Sequence, residues 1–176
     1  MLDMHGNEIE THSKAIDPIE NGYQNVGPIE KQKVYIFDID GIIAKAEKVR
    51  SDFNSDKEYY HWFNKNCPFF KVIPEMCGLL AYCARRYHII LLTSRQTKVQ
   101  NQTIQWLGTW ITFVPSMHLY MREVGDERPT GEFKRGILRD KILPRYDVIF
   151  AVDDDASVID EYRRLGVNCL EWKENR

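Results

Sequence analysis

Asp38 and Asp40 stand two residues apart in the stretch Val34-Tyr35-Ile36-Phe37-Asp38-Ile39-Asp40-Gly41. In an extended segment that spacing turns both carboxylates to one side. Acids so crowded repel each other unless a cation or a proton neutralises them, and Gly41 lets the chain turn sharply just beyond. Such a pair suits metal binding or proton transfer; a solvated Asp-Gly turn is the bland alternative. Asp153-Asp154-Asp155 is a second acidic group. One acid is enough to cap a helix, whereas three in a row suit a hard cation held by oxygens. Thr93-Ser94-Arg95 offers a hydroxyl and backbone amides to a phosphoryl oxygen, or a plain helix cap. Lys134, in Thr130-Gly131-Glu132-Phe133-Lys134-Arg135, falls near a predicted helix start, where the dipole disfavours a cation. Both a functional post and a solvated surface position account for it.

The elements that must position these groups follow from hydrophobic periodicity. Short apolar runs at 34–37, 88–92, 119–121, 148–152 and 169–172 suit strands buried on both faces. Helical patterns separate them. Ile73, Met76, Leu80 and Cys83 form one apolar face behind Pro74. Val99, Thr103, Trp106, Leu107 and Trp110 form a second; Phe133, Ile137, Leu138 and Ile142 form a third, stopped by Pro144. Val158, Tyr162 and Leu165 form a fourth, closed by Gly166. Strands alternating with helices predict an α/β fold: a Rossmann-like parallel sheet of about five strands with helices on both faces. Chemistry in such sheets collects at the carboxyl ends of the strands, where Asp38, Thr93 and Asp153 fall.

The chain has 176 residues, enough for one domain with a substantial core. Residues 1–32 are polar and lack a sustained hydrophobic period, which predicts a flexible arm before a domain at 33–176. An aromatic and basic segment at about 44–72 interrupts the alternation and predicts a small helical cap insert over the strand ends. The formal charge of −2 supplies no global positive field for nucleic acid, so a polyanion must be held by a local basic patch or a metal ion. No signal-peptide pattern or membrane-length apolar run is present. The cysteines, Cys67, Cys77, Cys83 and Cys169, show no metal-finger spacing. These features predict a cytoplasmic setting, the host cytoplasm if a phage encodes the chain, and no membrane partner.

Acids after the first and fourth of the strands that carry the motifs, a hydroxyl after the second and a lysine after the third together resemble the haloacid-dehalogenase (HAD) superfamily of phosphotransferases, over roughly 34–172. The resemblance implies that Asp38 attacks phosphorus, that Asp40 is general acid and base, and that Thr93 and Lys134 hold the phosphoryl group. It implies substrate contacts from Gly41, Ser94 and Arg95, and a Mg²⁺ site drawing on Asp38, Asp40, Asp153 and Asp154. A closer likeness is to the phosphatase domain of bacteriophage polynucleotide kinase/3′-phosphatase. It is carried by Leu92-Thr93-Ser94-Arg95, by Leu119-Tyr120-Met121-Arg122 with Gly125-Asp126 and Arg128-Pro129, and by Val152-Asp153-Asp154 leading to Arg163-Arg164-Leu165-Gly166-Val167. Three positions depart from the usual pattern: Ile42 replaces Thr or Val, Ser94 replaces the Gly of S-G-R, and Asp155 adds a charge beside the acidic pair. The phosphate loop of a kinase requires a Gly-Lys dipeptide, and the sequence has none.

The insert is expected to choose the leaving group. Its aromatics can stack a base, or can form the insert's own core. Three readings follow: a 3′-phosphatase of nucleic-acid ends, a phosphatase of free (deoxy)nucleoside monophosphates, and a catalytically idle binding module of the same fold.

Overall fold

A computed structural model describes residues 30–48, 50–111 and 117–173. The expected arm at 1–32 lies outside them apart from its last three residues. Among the described residues seven strands and five α-helices run in chain order: β1 (Gln32–Phe37), β2 (Ala44–Lys45), α1 (Asp56–Asn66), β3 (Lys71–Val72), α2 (Pro74–Ala84), β4 (His88–Gln96), α3 (Gln100–Trp110), β5 (Met117–Arg122), α4 (Thr130–Ile137), β6 (Tyr146–Asp153), α5 (Ala156–Arg164) and β7 (Cys169–Glu171). Five strands form one sheet in the order β5-β4-β1-β6-β7, and every pairing in it is parallel. This is the α/β architecture expected from the alternation of apolar runs and helical faces.

The apolar runs divide by alternation. Val34 and Ile36 of β1, with Ile90 and Leu92 of β4, face a core shared with Phe133, Val158 and Tyr162 of α4 and α5. Phe37, Ile89 and Leu91 face the other way, onto Met76, Leu80, Trp106 and Leu107 of α2 and α3. A period of two thus supplies two faces, and each takes a helical layer. Trp110, expected on the α3 apolar face, is exposed instead. Pro74 opens α2 at its first turn, and Gly166, at φ +79°, ends α5 in a conformation that glycine adopts without strain.

Between β1 and α2, β2 pairs antiparallel with β3, and α1 rises between them. Ser55 caps α1 by accepting from the Glu58 amide at 3.2 Å. The aromatics of this insert pack largely on one another: Phe63 meets Phe70 at 5.3 Å and Phe53 meets Trp62 at 5.3 Å between ring centres. The Trp106 indole of α3 donates to the Phe70 carbonyl at 2.8 Å, tying the end of the insert to the body. Among the described residues no helix is long and apolar enough to cross a membrane. All four cysteines are free.

Candidate active site

Register decides what gathers at the carboxyl edge. Phe37 lies beside Leu91 on one side and Val152 on the other, so Asp38, Thr93 and Asp153 leave three neighbouring strands at nearly one level. The Asp38 amide donates to the Val152 carbonyl at 3.1 Å, extending that ladder by one residue. Asp38, Asp153 and Asp154 each offer a carboxylate oxygen within 4.8 Å of the others. Residues 38 and 154, far apart in sequence, therefore can share one ion.

Lys134 enters this cluster from α4. Helical side chains lean toward their own N-terminus, and the N-terminus of α4 faces the carboxyl edge, so the fully buried lysine reaches back to the acids. Its Nζ donates to Asp153 Oδ2 at 2.8 Å and lies 2.9 Å from Asp38 Oδ1. Burial disfavours the ammonium, but Asp153 and Asp38 outweigh it and hold the lysine well above its usual range. Burial pushes the Asp38 acid well up, against the pull of Lys134. Although Lys134 is close, Asp38 Oδ1 is buried and receives no hydrogen bond of proper angle among the described residues. Asp154 opens to the cavity, and partial burial followed by repulsion from Asp153 raises its acid to about 6.

Three carboxylates gathered this closely, two of them buried and sharing a single ammonium, fit a hard divalent cation such as Mg²⁺. Gly41 makes room for this arrangement. Its φ is +89°, and a Cβ there would sit 2.7 Å from Asp154 Oδ1 and closer still to Oδ2.

Several of the remaining expected site residues have partners within the protein. Asp40 is expected among the metal ligands; among the described residues its carboxylate lies outside the three-acid cluster. Arg95 grips it at 2.9 Å (Nε to Oδ2) and 2.7 Å (Nη2 to Oδ1). Arg95, expected on substrate, is fully buried and spends its guanidinium on Asp40 and on Thr103 at 3.3 Å. The amide of Gly41, expected among the substrate contacts, donates to the Ala44 carbonyl at 2.8 Å. Thr93 Oγ1 accepts the Arg95 amide at 3.2 Å and sits 3.5 Å from Asp40 Oδ2.

The three consecutive acids divide their work. Asp153 and Asp154 join the cluster, while Asp155 caps α5, accepting from the Ser157 amide at 2.8 Å. Its added charge is thus directed to a helix end. Ile42, which replaces Thr or Val, is fully buried in the core.

A cavity of about 470 Å³ opens over the cluster, lined by Asp38, Thr93, Ser94 and Lys134 from the body and by Tyr59, Tyr60 and Asn64 from α1. Burial and then Asp40 push the Tyr59 hydroxyl up to about 12, so it stays a donor.

Sequence reasoning assigned no role to Arg122. It ends β5, is buried, and lies over the Phe133 ring at 4.5 Å. Its guanidinium donates to the Arg128 carbonyl at 2.6 Å and to Ser94 Oγ at 3.5 Å. The rule that found Thr93, a polar residue directly after an apolar strand, marks Arg122 as well.

A family model for the polynucleotide kinase PNKP phosphatase domain matches residues 32–176. Among solved structures, one chain of the Pnkp1/Rnl/Hen1 RNA repair complex is similar with a TM-score of 0.69 at 20% identity, over 90% of this chain and 48% of that one. A second Pnkp1/Rnl/Hen1 complex has a chain similar at 0.69 and 19%, over 98% and 59%. The class C acid phosphatase from Bacillus anthracis, with tungstate bound, is similar at 0.54 and 15%, over 83% and 68%. This chain thus spans 48% and 59% of the two repair-complex chains. At such identities these likenesses speak for the fold.

Proposed function

Because the chain belongs to the polynucleotide kinase PNKP phosphatase-domain family of HAD phosphatases, we propose that it is a Mg²⁺-dependent phosphomonoesterase that removes 3′-phosphates from nucleic-acid ends through an aspartyl-phosphate on Asp38. The observation that carries this reading is the cluster of Asp38, Asp153 and Asp154, one carboxylate oxygen of each within 4.8 Å of the others, around the buried Lys134. The RNA repair setting of two similar structures supports the nucleic-acid end as substrate.

Asp38, Asp153 and Asp154 would hold the ion. Bound there, Mg²⁺ supplies charge neutralisation between the nucleophile and the phosphate. The residues do the rest. An Asp38 oxygen attacks phosphorus in line, and the bond from phosphorus to the sugar oxygen breaks. Asp40 in its acid form protonates that leaving oxygen. Water then attacks the aspartyl-phosphate, Asp40 takes its proton, and the phosphorus–Asp38 bond breaks, returning the enzyme. Lys134, held between Asp38 and Asp153, offsets charge on the transferring group, and Thr93 donates to one of its oxygens. Arg95 orients Asp40. General acid–base help is worth about 10²–10⁴ in rate, which sets the expected loss for Asp40→Asn.

Asp38→Asn is the decisive variant. Burial already favours the neutral acid at this position, and the amide is a neutral isostere. The folded protein should keep or gain thermal stability without Mg²⁺, while hydrolysis and the Mg²⁺-induced rise in melting temperature disappear. Turnover of a 3′-phosphorylated oligonucleotide at near the parent rate would end the assignment.

A further inference from the structure

A second cleft, of about 720 Å³, adjoins the catalytic cavity and shares Tyr60, Ser94, Gln96 and Thr130 with it. Resting on the nucleic-acid reading above, we infer that this cleft seats the strand leading to the scissile phosphate. The next phosphodiester lies between Lys57 and Lys98, and the terminal base lies on Tyr60.

The two walls come from different parts of the chain. Lys57 and His61 lie one turn apart on α1, and Lys98 faces them from the turn after β4. Both lysines are exposed and have no ion pair or hydrogen bond among the described residues. Their charge is therefore free to meet a phosphate. Arg122 and Arg128 form the floor and are already committed. Arg128 pairs with Asp126 at 2.5 Å, and the buried Arg122 lies 3.8 Å from the same acid. With Glu127 also present, the cleft holds the bases Lys57, Lys98, Arg122 and Arg128 against the acids Asp126 and Glu127, so cations exceed anions by two.

A further cleft beside the catalytic cavity offers no such uncommitted pair: Lys173 is held by Glu171 at 2.6 Å, Lys48 lies over the Phe53 ring, and Lys45 and Arg50 have interactions of their own. In a chain of net charge −2, a polyanion follows the side with the local excess. Tyr60 stands at the seam between the catalytic cavity and the basic cleft, with 47% of its surface exposed. An exposed ring next to a backbone-tracking pair of lysines is the combination that binds single strands without reading sequence.

The test uses Lys57→Ala/Lys98→Ala in the full chain, since neither lysine belongs to the reacting cluster. Each single-strand phosphate contact contributes about 0.7 to the salt slope, or about five-fold at about 0.1 M salt. The double variant should therefore lose about 25-fold in kcat/KM on a 3′-phosphorylated oligonucleotide, and its log–log salt slope should flatten by about 1.4. Its kcat/KM on a nucleoside 3′-monophosphate should stay within about two-fold of the parent. Lys33→Ala, near the amino-terminal end of the central strand β1 and away from the carboxyl ends, should change turnover of neither substrate. An unchanged oligonucleotide kcat/KM and slope, with the parent active on that substrate, overturns the cleft alone. A parent that hydrolyses the mononucleotide and ignores the oligonucleotide overturns both the cleft and the substrate reading.

Discussion

Gly41→Ala probes how tightly the turn after the first acidic pair is built around the acidic cluster. The substitution has two costs. A non-glycine residue at φ +89° is strained by about 1–2 kcal/mol, and the new methyl overlaps the Asp154 carboxylate, an overpacking worth about 1–3 kcal/mol. The sum, about 2–5 kcal/mol, is below the stability of an ordinary domain, so the protein still folds. For a chain of this length 1 kcal/mol shifts the melting temperature by about 2–4 °C; a fall of roughly 5–15 °C is expected. The displaced carboxylate is one of three around the proposed ion, so Mg²⁺ should bind at least about ten-fold more weakly, costing about 1.4 kcal/mol of metal-linked stabilisation. Differential scanning fluorimetry with and without a Mg²⁺ titration reads both effects. A melting temperature within about 2 °C of the parent, with the same Mg²⁺ midpoint, would refute the idea that this glycine is fixed by Asp154.

Other variants examine neighbouring features. Lys134→Met leaves the buried Asp38 and Asp153 carboxylates without their ammonium; breaking such a pair costs about 3–5 kcal/mol, visible as a lower urea midpoint that added Mg²⁺ partly restores, with hydrolysis lost under both conditions. Asp126 is held down to about 2, chiefly by its hydrogen bonds from Arg128. A depressed acid stabilises the fold above its unfolded value of about 3.9 and loses that contribution as pH falls toward about 2, so Asp126→Asn should lower the melting temperature at pH 7 by the equivalent of about 1 kcal/mol, reduced by solvent screening, with a smaller difference at pH 3. Gly131→Ala would place a Cβ 2.9 Å from the Ser157 carbonyl oxygen across the α4–α5 contact and should destabilise by about 1–3 kcal/mol. Gly78→Ala, with open space around it in α2, should instead stabilise by up to about 1 kcal/mol; equal melting shifts for the two glycines would contradict the packing argument.

Much of the architecture was legible because burial leaves a periodic trace. Val34 and Ile36 divide from Phe37 as a two-residue alternation demands, and Ile73, Met76, Leu80 and Cys83 mark the inner face of α2. The clustering of Asp38 with Asp153 and Asp154 followed from the rule that parallel strands deliver their following residues to one edge. Partner choice was not legible. Nothing in the spacing of Asp40 and Arg95 says that a buried guanidinium will grip that carboxylate, since the contact spans 55 residues of sequence. Which of the three consecutive acids would cap α5 and which would face the cluster was also open, because acids that cap and acids that coordinate are written with the same letter. Lys134 seemed to lie near a helix start, where a surface lysine is ordinary; its burial depends on how α4 packs against α5 and β4, a tertiary fact without a local pattern.

The indole of Trp106 bolts the Phe70 carbonyl to α3, and this has a bearing on turnover. A roof pinned at its far end and filled with its own interlocked rings resists the swing of a hinged flap. With the doorway standing open through the cycle, solvent viscosity slows turnover only where departure of product limits it.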